Sequence, residues 1–166
     1  MRLVDITMED LPLYEALMTD PATMAELGGP LPREGLEDKL RGIVEEVRAG
    51  RAWYFTVAAE DPGVPVGTVC VWDHEWNGEA ITEIGWMVLP AYQGRGLGSE
   101  AVRQVLRRAR EDGRWQTIHA FPAVSNGPSN AICRKLGFTR IEELDFEYAG
   151  RALRGAHWAL DLRAST

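Results

Sequence analysis

Cysteine is scarce in this chain. Cys70 and Cys133 are its two examples in 166 residues, and with no CxxC pair they indicate neither a disulfide framework nor a metal site. Positive charge is also short, with 18 Lys and Arg against 25 Asp and Glu and a net charge of -7. A phosphate backbone needs a basic surface, so no nucleic-acid partner is expected. An acidic surface favours cationic ligands such as amines. Long apolar runs are missing too. The start, MRLVDITMEDLP, carries acids where a signal peptide needs an apolar stretch, and no segment approaches a membrane span. With no repeat and no low-complexity tract, one cytoplasmic domain over 1–166, away from membranes, is expected.

What is present is an ordinary globular balance, 45% hydrophobic and 26% charged. Leu3 to Ile6 reads as a short strand, and Leu11 to Met18 as a helix with Asp10 as N-cap and Pro12 in the first turn. DPATMAELGGPLPREG, rich in proline and glycine, reads as a loop. Leu36, Leu40, Ile43, Val44 and Val47 recur at helical spacing up to Gly50. Three strands follow, Trp53 to Ala59, Val66 to Trp72 and Ala80 to Val88, separated by DPG and by the polar stretch HEWNGE. Leu97, Ala101, Val102, Val105, Leu106 and Ala109 stripe a second strong helix. Then come a strand from Thr117 to Phe121 and a helix from about Pro128 to Leu136. Gly137 is placed to cap that helix in the left-handed conformation, with Phe138 folding back on Ile132 or Cys133. Ile141 to Tyr148 and His157 to Leu162 alternate as an antiparallel pair would. The expected fold class is mixed α/β, a mostly antiparallel central sheet flanked by helices.

The informative stretch is TEIGWMVLPAYQGRGLGSEAV, a strand, a glycine turn and the start of an amphipathic helix. That order aims several unpaired N–H groups and the positive end of a helix dipole at one point, where a pyrophosphate fits. Glycines at 94, 96 and 98 would let it approach the backbone closely. Alone, such a cluster is equally a surface turn before a helix. No G-K-[ST] is present, so this is not a Walker A loop. GRGLGS also lacks the third glycine of the dinucleotide fingerprint.

Gln93-Gly94-Arg95-Gly96-Leu97-Gly98 resembles the [Q/R]-x-x-G-x-[G/A] signature of the GNAT N-acetyltransferase superfamily. VSNGPSNAICRKLGF, Val124 to Phe138, resembles that family's second motif, a helix ending in K-L-G-F, in the right order and about thirty residues on. The order of strands and helices also matches over nearly the whole chain. The resemblance implies acetyl-CoA as co-substrate, no metal, and transfer of acetyl to an amine. It further implies that the backbone of Met87, Val88 and Leu89 pairs with pantetheine amides like an added strand. The N–H groups from Arg95 to Ser99 would hold the pyrophosphate, with Gln93 opening the turn. Asn126 would meet the pantetheine arm or adjoining backbone, and Ser129 and Asn130 would lie near the phosphates. Arg95 pairs with a phosphate or is a solvated loop arginine.

Attack on a thioester needs a neutral amine, hence a base, and a leaving thiolate benefits from an acid. Many members carry a tyrosine four residues before the glycine of L-G-F, where this chain has Cys133. The thiol is then either the acid or a packing side chain, and Tyr148 is a further candidate acid. Glu83, between Ile81 and Ile84, is the candidate base, unless strand alternation turns it to solvent. His74 and Glu75, read as loop residues, are alternatives. Glu147 and Asp145 could bind an acceptor's ammonium group, or form a solvated strand face. Six tryptophans are many for this length. Most should be core, while Trp72 or Trp86 could wall an acceptor cleft, since an aromatic face suits an amine. The loop from Met24 to Pro30, including Leu27, falls where the family often builds its substrate entrance. The implied acceptor is a small molecule or a protein N-terminus, and the resemblance is compatible with a homodimer. The reading of a different class is a module that binds acetyl-CoA as a signal and transfers nothing.

Overall fold

A computed structural model describes residues 1–59 and 63–163. Its seven strands are β1 (Arg2–Asp5), β2 (Ala52–Ala58), β3 (Pro65–Trp76), β4 (Glu79–Val88), β5 (Thr117–Ala120), β6 (Thr139–Tyr148) and β7 (Arg151–Asp161). They form one sheet in the order β1-β2-β3-β4-β5-β7-β6, antiparallel except where β4 runs parallel to β5. Five helices pack on it: α1 (Leu11–Thr19), α2 (Pro21–Met24), α3 (Leu36–Arg48), α4 (Leu97–Asp112) and α5 (Gly127–Lys135). Among the described residues no helix is long and apolar enough to cross a membrane.

Two apolar layers hold the sheet. The stripe of α4 and Cys133 of α5 pack on Val69, Val71, Ile84, Ile118, Ala120 and Trp158. Tyr14, Met18, Met24, Leu36, Leu40 and Val44 of α1 to α3 form the other layer, with Tyr54, Met87 and Tyr148 against them. α5 ends as its sequence implies. Gly137 adopts φ +85°, Phe138 N–H reaches Cys133 O at 3.0 Å, and Gly137 N–H reaches Arg134 O.

Three local readings change. The segment expected as a loop after α1 holds α2, because the Asp20 carboxylate accepts from Thr23 N–H at 2.6 Å and Pro21 occupies the first turn. Asp10 does not cap α1 with its side chain, which turns back to accept from Thr7 N–H at 2.8 Å. The β3–β4 connection is only Asn77-Gly78, both at positive φ, as a two-residue hairpin turn requires. β3 therefore runs on through His74, Glu75 and Trp76, which are strand residues. The DPG separator expected between β2 and β3 falls on Asp61 and Pro62, outside the described residues.

Candidate active site

The sheet splits at Glu83. β4 and β5 meet at one register pair, Glu83 with His119, and then diverge, β4 towards α4 and β5 towards α5. Two parallel strands that part and each feed a helix leave a cleft at their carboxyl ends, with both helix N-termini beside it. Gly98 of α4 confirms this convergence, because a Cβ there would touch Ile132 of α5 and Val88 and Trp86 of β4.

On one arm of the cleft, Leu89 N–H bonds to Val66 O at 2.8 Å, towards β3. Antiparallel alternation sends the backbone groups of Met87 the same way and turns those of Trp86 and Val88 towards the open side. The backbone groups that face the open side are thus those of Trp86 and Val88, whereas those of Met87 and Leu89 face β3. Val88 O is taken by Gln93 Nε2 at 2.9 Å, so Gln93 ties the turn to the strand end. Arg95 is held inside the turn, donating to Ala91 O at 3.0 Å and lying over the Tyr92 ring.

Gly94 and Gly96 have φ of +72° and +77°, and a Cβ on either would meet nothing within 4 Å. The space over the turn is open, and its backbone conformation is one that glycine adopts without strain. The first intrahelical donor of α4 is Glu100, bonded to Gly96 O, so the N–H groups of Leu97, Gly98 and Ser99 precede the ladder. Ser99 Oγ is buried without a hydrogen-bond partner among the described residues. A pyrophosphate fits this arrangement of donors and open space. Gly98 differs from them: a Cβ there would make ordinary contact with Ile132, Val88 and Trp86.

On the other arm, Asn126 caps α5 by accepting from Ser129 N–H at 3.0 Å. The Asn130 side chain is bonded within the fold. It is 8% exposed, donates to Ala123 O and Asn126 O, and accepts from Trp158 Nε1 at 2.9 Å. A buried indole N–H needs an acceptor, and Asn130 supplies it.

Directly paired residues share a face of the sheet. Trp72 is opposite Glu83, Glu83 opposite His119, and His119 opposite Ala159, so these and His157 lie on one face. His74 Nε2 is 2.7 Å from Glu83 Oε2. Trp72 stacks on His74, with ring centroids 6.1 Å apart, and His119 Nδ1 is 2.8 Å from His157 Nε2. Burial pushes the Glu83 carboxyl up to about 7, against the opposing pull of His74. Burial holds His119 and His157 below the usual histidine value, and for His119 the neighbouring His157 and His74 add to this.

Two expected acceptor contacts lie on the opposite face. Trp86 is opposite Val69 and packs with α4 and α5, and Glu147 is opposite Ala152, away from the Glu83 face. Strand parity, not proximity in sequence, decides both. Cys133 is 0% exposed in the apolar core, where burial pushes its thiol up to about 12. In that setting the side chain packs as a small hydrophobe does. Tyr148 packs against the layer of α1 to α3, its hydroxyl raised by burial.

Leu27 is half-buried in that same layer. The loop around it is tied to β7, since Arg151 donates to Gly29 O and to Pro30 O. A cavity of about 330 Å³ opens between Ala25 and Glu26 on one side and Ala123 to Ser125, Leu153 and Arg154 on the other.

Comparison with known proteins agrees with this geometry. Residues 1–139 match the family model described as an acetyltransferase (GNAT) domain. The uncharacterized N-acetyltransferase YnaD of Bacillus subtilis (strain 168) is 28% identical over 104 residues, 63% of this chain; the match spans 60% of that relative's length. The fold superposes on RimL, a ribosomal L7/L12 alpha-N-protein acetyltransferase in complex with coenzyme A, with TM-score 0.79 and 17% identity, covering 96% of this chain and 92% of that one. It also superposes on yncA of Salmonella typhimurium, a putative acetyltransferase with its cofactor acetyl-CoA, with TM-score 0.76 and 21% identity, covering 100% and 96%. The split sheet, the glycine turn leading into α4 and the family match over 1–139 together make this chain a member of the GNAT acetyltransferase family.

Proposed function

We propose that the chain is an acetyl-CoA-dependent N-acetyltransferase that acts by direct attack of an amine on the thioester. The observation that carries this reading is the position of Glu83. A largely buried carboxyl, 19% exposed, sits where β4 and β5 part, beneath the cleft that the glycine turn overlooks. In this reading the N–H groups of Arg95 to Ser99 hold the pyrophosphate, and Trp86 and Val88 pair with the pantetheine arm as an added strand would. The thioester carbon then lies near Glu83. A carboxyl held at about 7 is matched to its task, because a base is most effective when its pKa lies near the working pH. Cys133 takes no part in proton transfer, and the CoA thiolate leaves without an acid from that position.

The acceptor is an amine of a small molecule or of a protein N-terminus, entering between the Leu27 loop and β7. Trp72, on the Glu83 face, offers an aromatic wall to it. With Cys70 and Cys133 both unpaired, the reducing cytosol is our choice of compartment. The test is a panel of amines and peptides with CoA thiol release as the readout, alongside calorimetry with acetyl-CoA. Saturable, amine-dependent release supports the reading. Binding of acetyl-CoA with no release across the panel would favour a module that binds the co-substrate and transfers nothing.

A further inference from the structure

Tautomer chemistry at His74 carries a consequence for Glu83. His74 Nδ1 lies 3.2 Å from the Glu75 carbonyl oxygen, which can only accept, so Nδ1 bears a proton. In a neutral ring with Nδ1 protonated, Nε2 is an acceptor. The atom facing it at 2.7 Å, Glu83 Oε2, is an acceptor too whenever the carboxyl is ionised. Two acceptors do not approach to that distance without a proton between them. The pair therefore holds one proton more than a neutral imidazole and a free carboxylate would.

We propose that His74 and Glu83 form a shared-proton dyad, in which His74 is a positioning residue that orients the carboxyl and, through its positive charge, favours the ionised form that the acceptor amine needs. This rests on the acetyl-transfer reading above. The ring is pinned twice, by the Glu75 carbonyl and by the Trp72 face stacked on it. Its strand register explains the reach: His74 pairs with Ile81, so Glu83 is the next residue of β4 on that face.

The other groups facing Glu83 do not compete for this role. From β3, Cys70 is pushed up to about 12 by burial and stays a thiol. From β5 and β7, His119 and His157 are held below the usual histidine value by burial, which disfavours their charged forms, and Glu142 lies 3.8 Å from His157 on its far side. The charge opposite Glu83 is that of His74. Protons balance simply: one passes from the acceptor nitrogen to Glu83, and the imidazolium of His74, 30% exposed, releases one to water.

Two measurements test the dyad. His74→Gln keeps an N–H donor for Glu83 but cannot carry charge. The acidic limb of its pH–rate profile should move to higher pH, with turnover about tenfold lower at neutral pH, recovering in alkali, and acetyl-CoA affinity unchanged. A uniform loss with an unmoved limb would mean that His74 is merely structural. The second measurement needs no acceptor, so it separates failure of the dyad from failure of the acetyl-transfer reading. In ¹⁵N spectra at neutral pH, His74 should carry a proton on Nδ1 and a shared or full proton on Nε2, and Glu83→Gln should change the Nε2 signal. Glu83→Asp, which withdraws the carboxylate, should do the same if the Gln variant folds poorly. A neutral His74 protonated only at Nε2, indifferent to both substitutions, would overturn the proposal.

Discussion

The Trp158 indole donates to the Asn130 amide oxygen at 2.9 Å, and this bond joins α5 to β7 beneath the cleft. Asn130 spends its N–H groups on Ala123 O and Asn126 O, so its whole side chain is structural. Asn130→Ala leaves the buried Trp158 indole N–H without its acceptor, while Ala123 O and Asn126 O keep their backbone donors. We expect a loss of about 1–3 kcal/mol in denaturant unfolding, with acetyl-CoA affinity by calorimetry preserved in the folded protein. A loss of affinity without a loss of stability would restore Asn130 to the phosphate site.

Gly96 separates the turn's two requirements. Its φ of +77° and the open space above it mean that a side chain meets no protein atom but enters the room the pyrophosphate needs. Gly96→Glu should weaken acetyl-CoA binding at least tenfold, about 1.4 kcal/mol, through bulk and like charge. Folding should be kept, at a backbone cost of about 1–2 kcal/mol. Unchanged affinity in a folded variant would move the site elsewhere.

Cys133 gives the opposite pattern. Its side chain is enclosed in the core, so Cys133→Ala should retain most turnover and lose on the order of 1 kcal/mol of stability. The native thiol should resist alkylating reagents until the protein unfolds. A large fall in turnover at an unchanged melting temperature would identify the thiol as the acid.

Much of this was legible in the chain. The glycine turn, the α4 stripe and the Gly137-Phe138 cap depend on local patterns, and each appears where the residues imply. The Asn77-Gly78 turn lay within the polar stretch HEWNGE, where His74 and Glu75 read as loop, which hid the extension of β3 that brings His74 to Glu83. The face on which Trp86 and Glu147 lie was hidden for another reason. Alternation along a strand shows which residues share a face, but which face meets the cleft depends on pairing with distant strands. The bond between Trp158 and Asn130 has no sequence signal, since its partners are 28 residues apart.

Glu83 should also mark the pH dependence of stability. Burial raises its carboxyl from an ordinary value near 4.5 to about 7. The folded form therefore holds a proton that the unfolded chain releases, and stability falls as pH rises through that window. Glu83→Gln removes the ionisation. Its stability relative to the parent should be lowest in acid and should improve up to about neutral pH, by at most roughly 3 kcal/mol. Chemical unfolding of both proteins across that range checks this. A constant difference would show that the carboxyl is not perturbed in the folded state.

The base assignment is tested most directly by turnover of Glu83→Gln with an acceptor found in the amine panel. The substitution keeps the side chain's shape and removes the proton acceptor. Turnover at neutral pH should fall roughly 10²–10⁴-fold, acetyl-CoA affinity should stay within about twofold, and the acidic limb of the pH–rate profile should move or vanish. Wild-type turnover with the same limb would contradict the account, leaving Glu83 a buried strand residue and the free amine a product of the acceptor's own equilibrium in water.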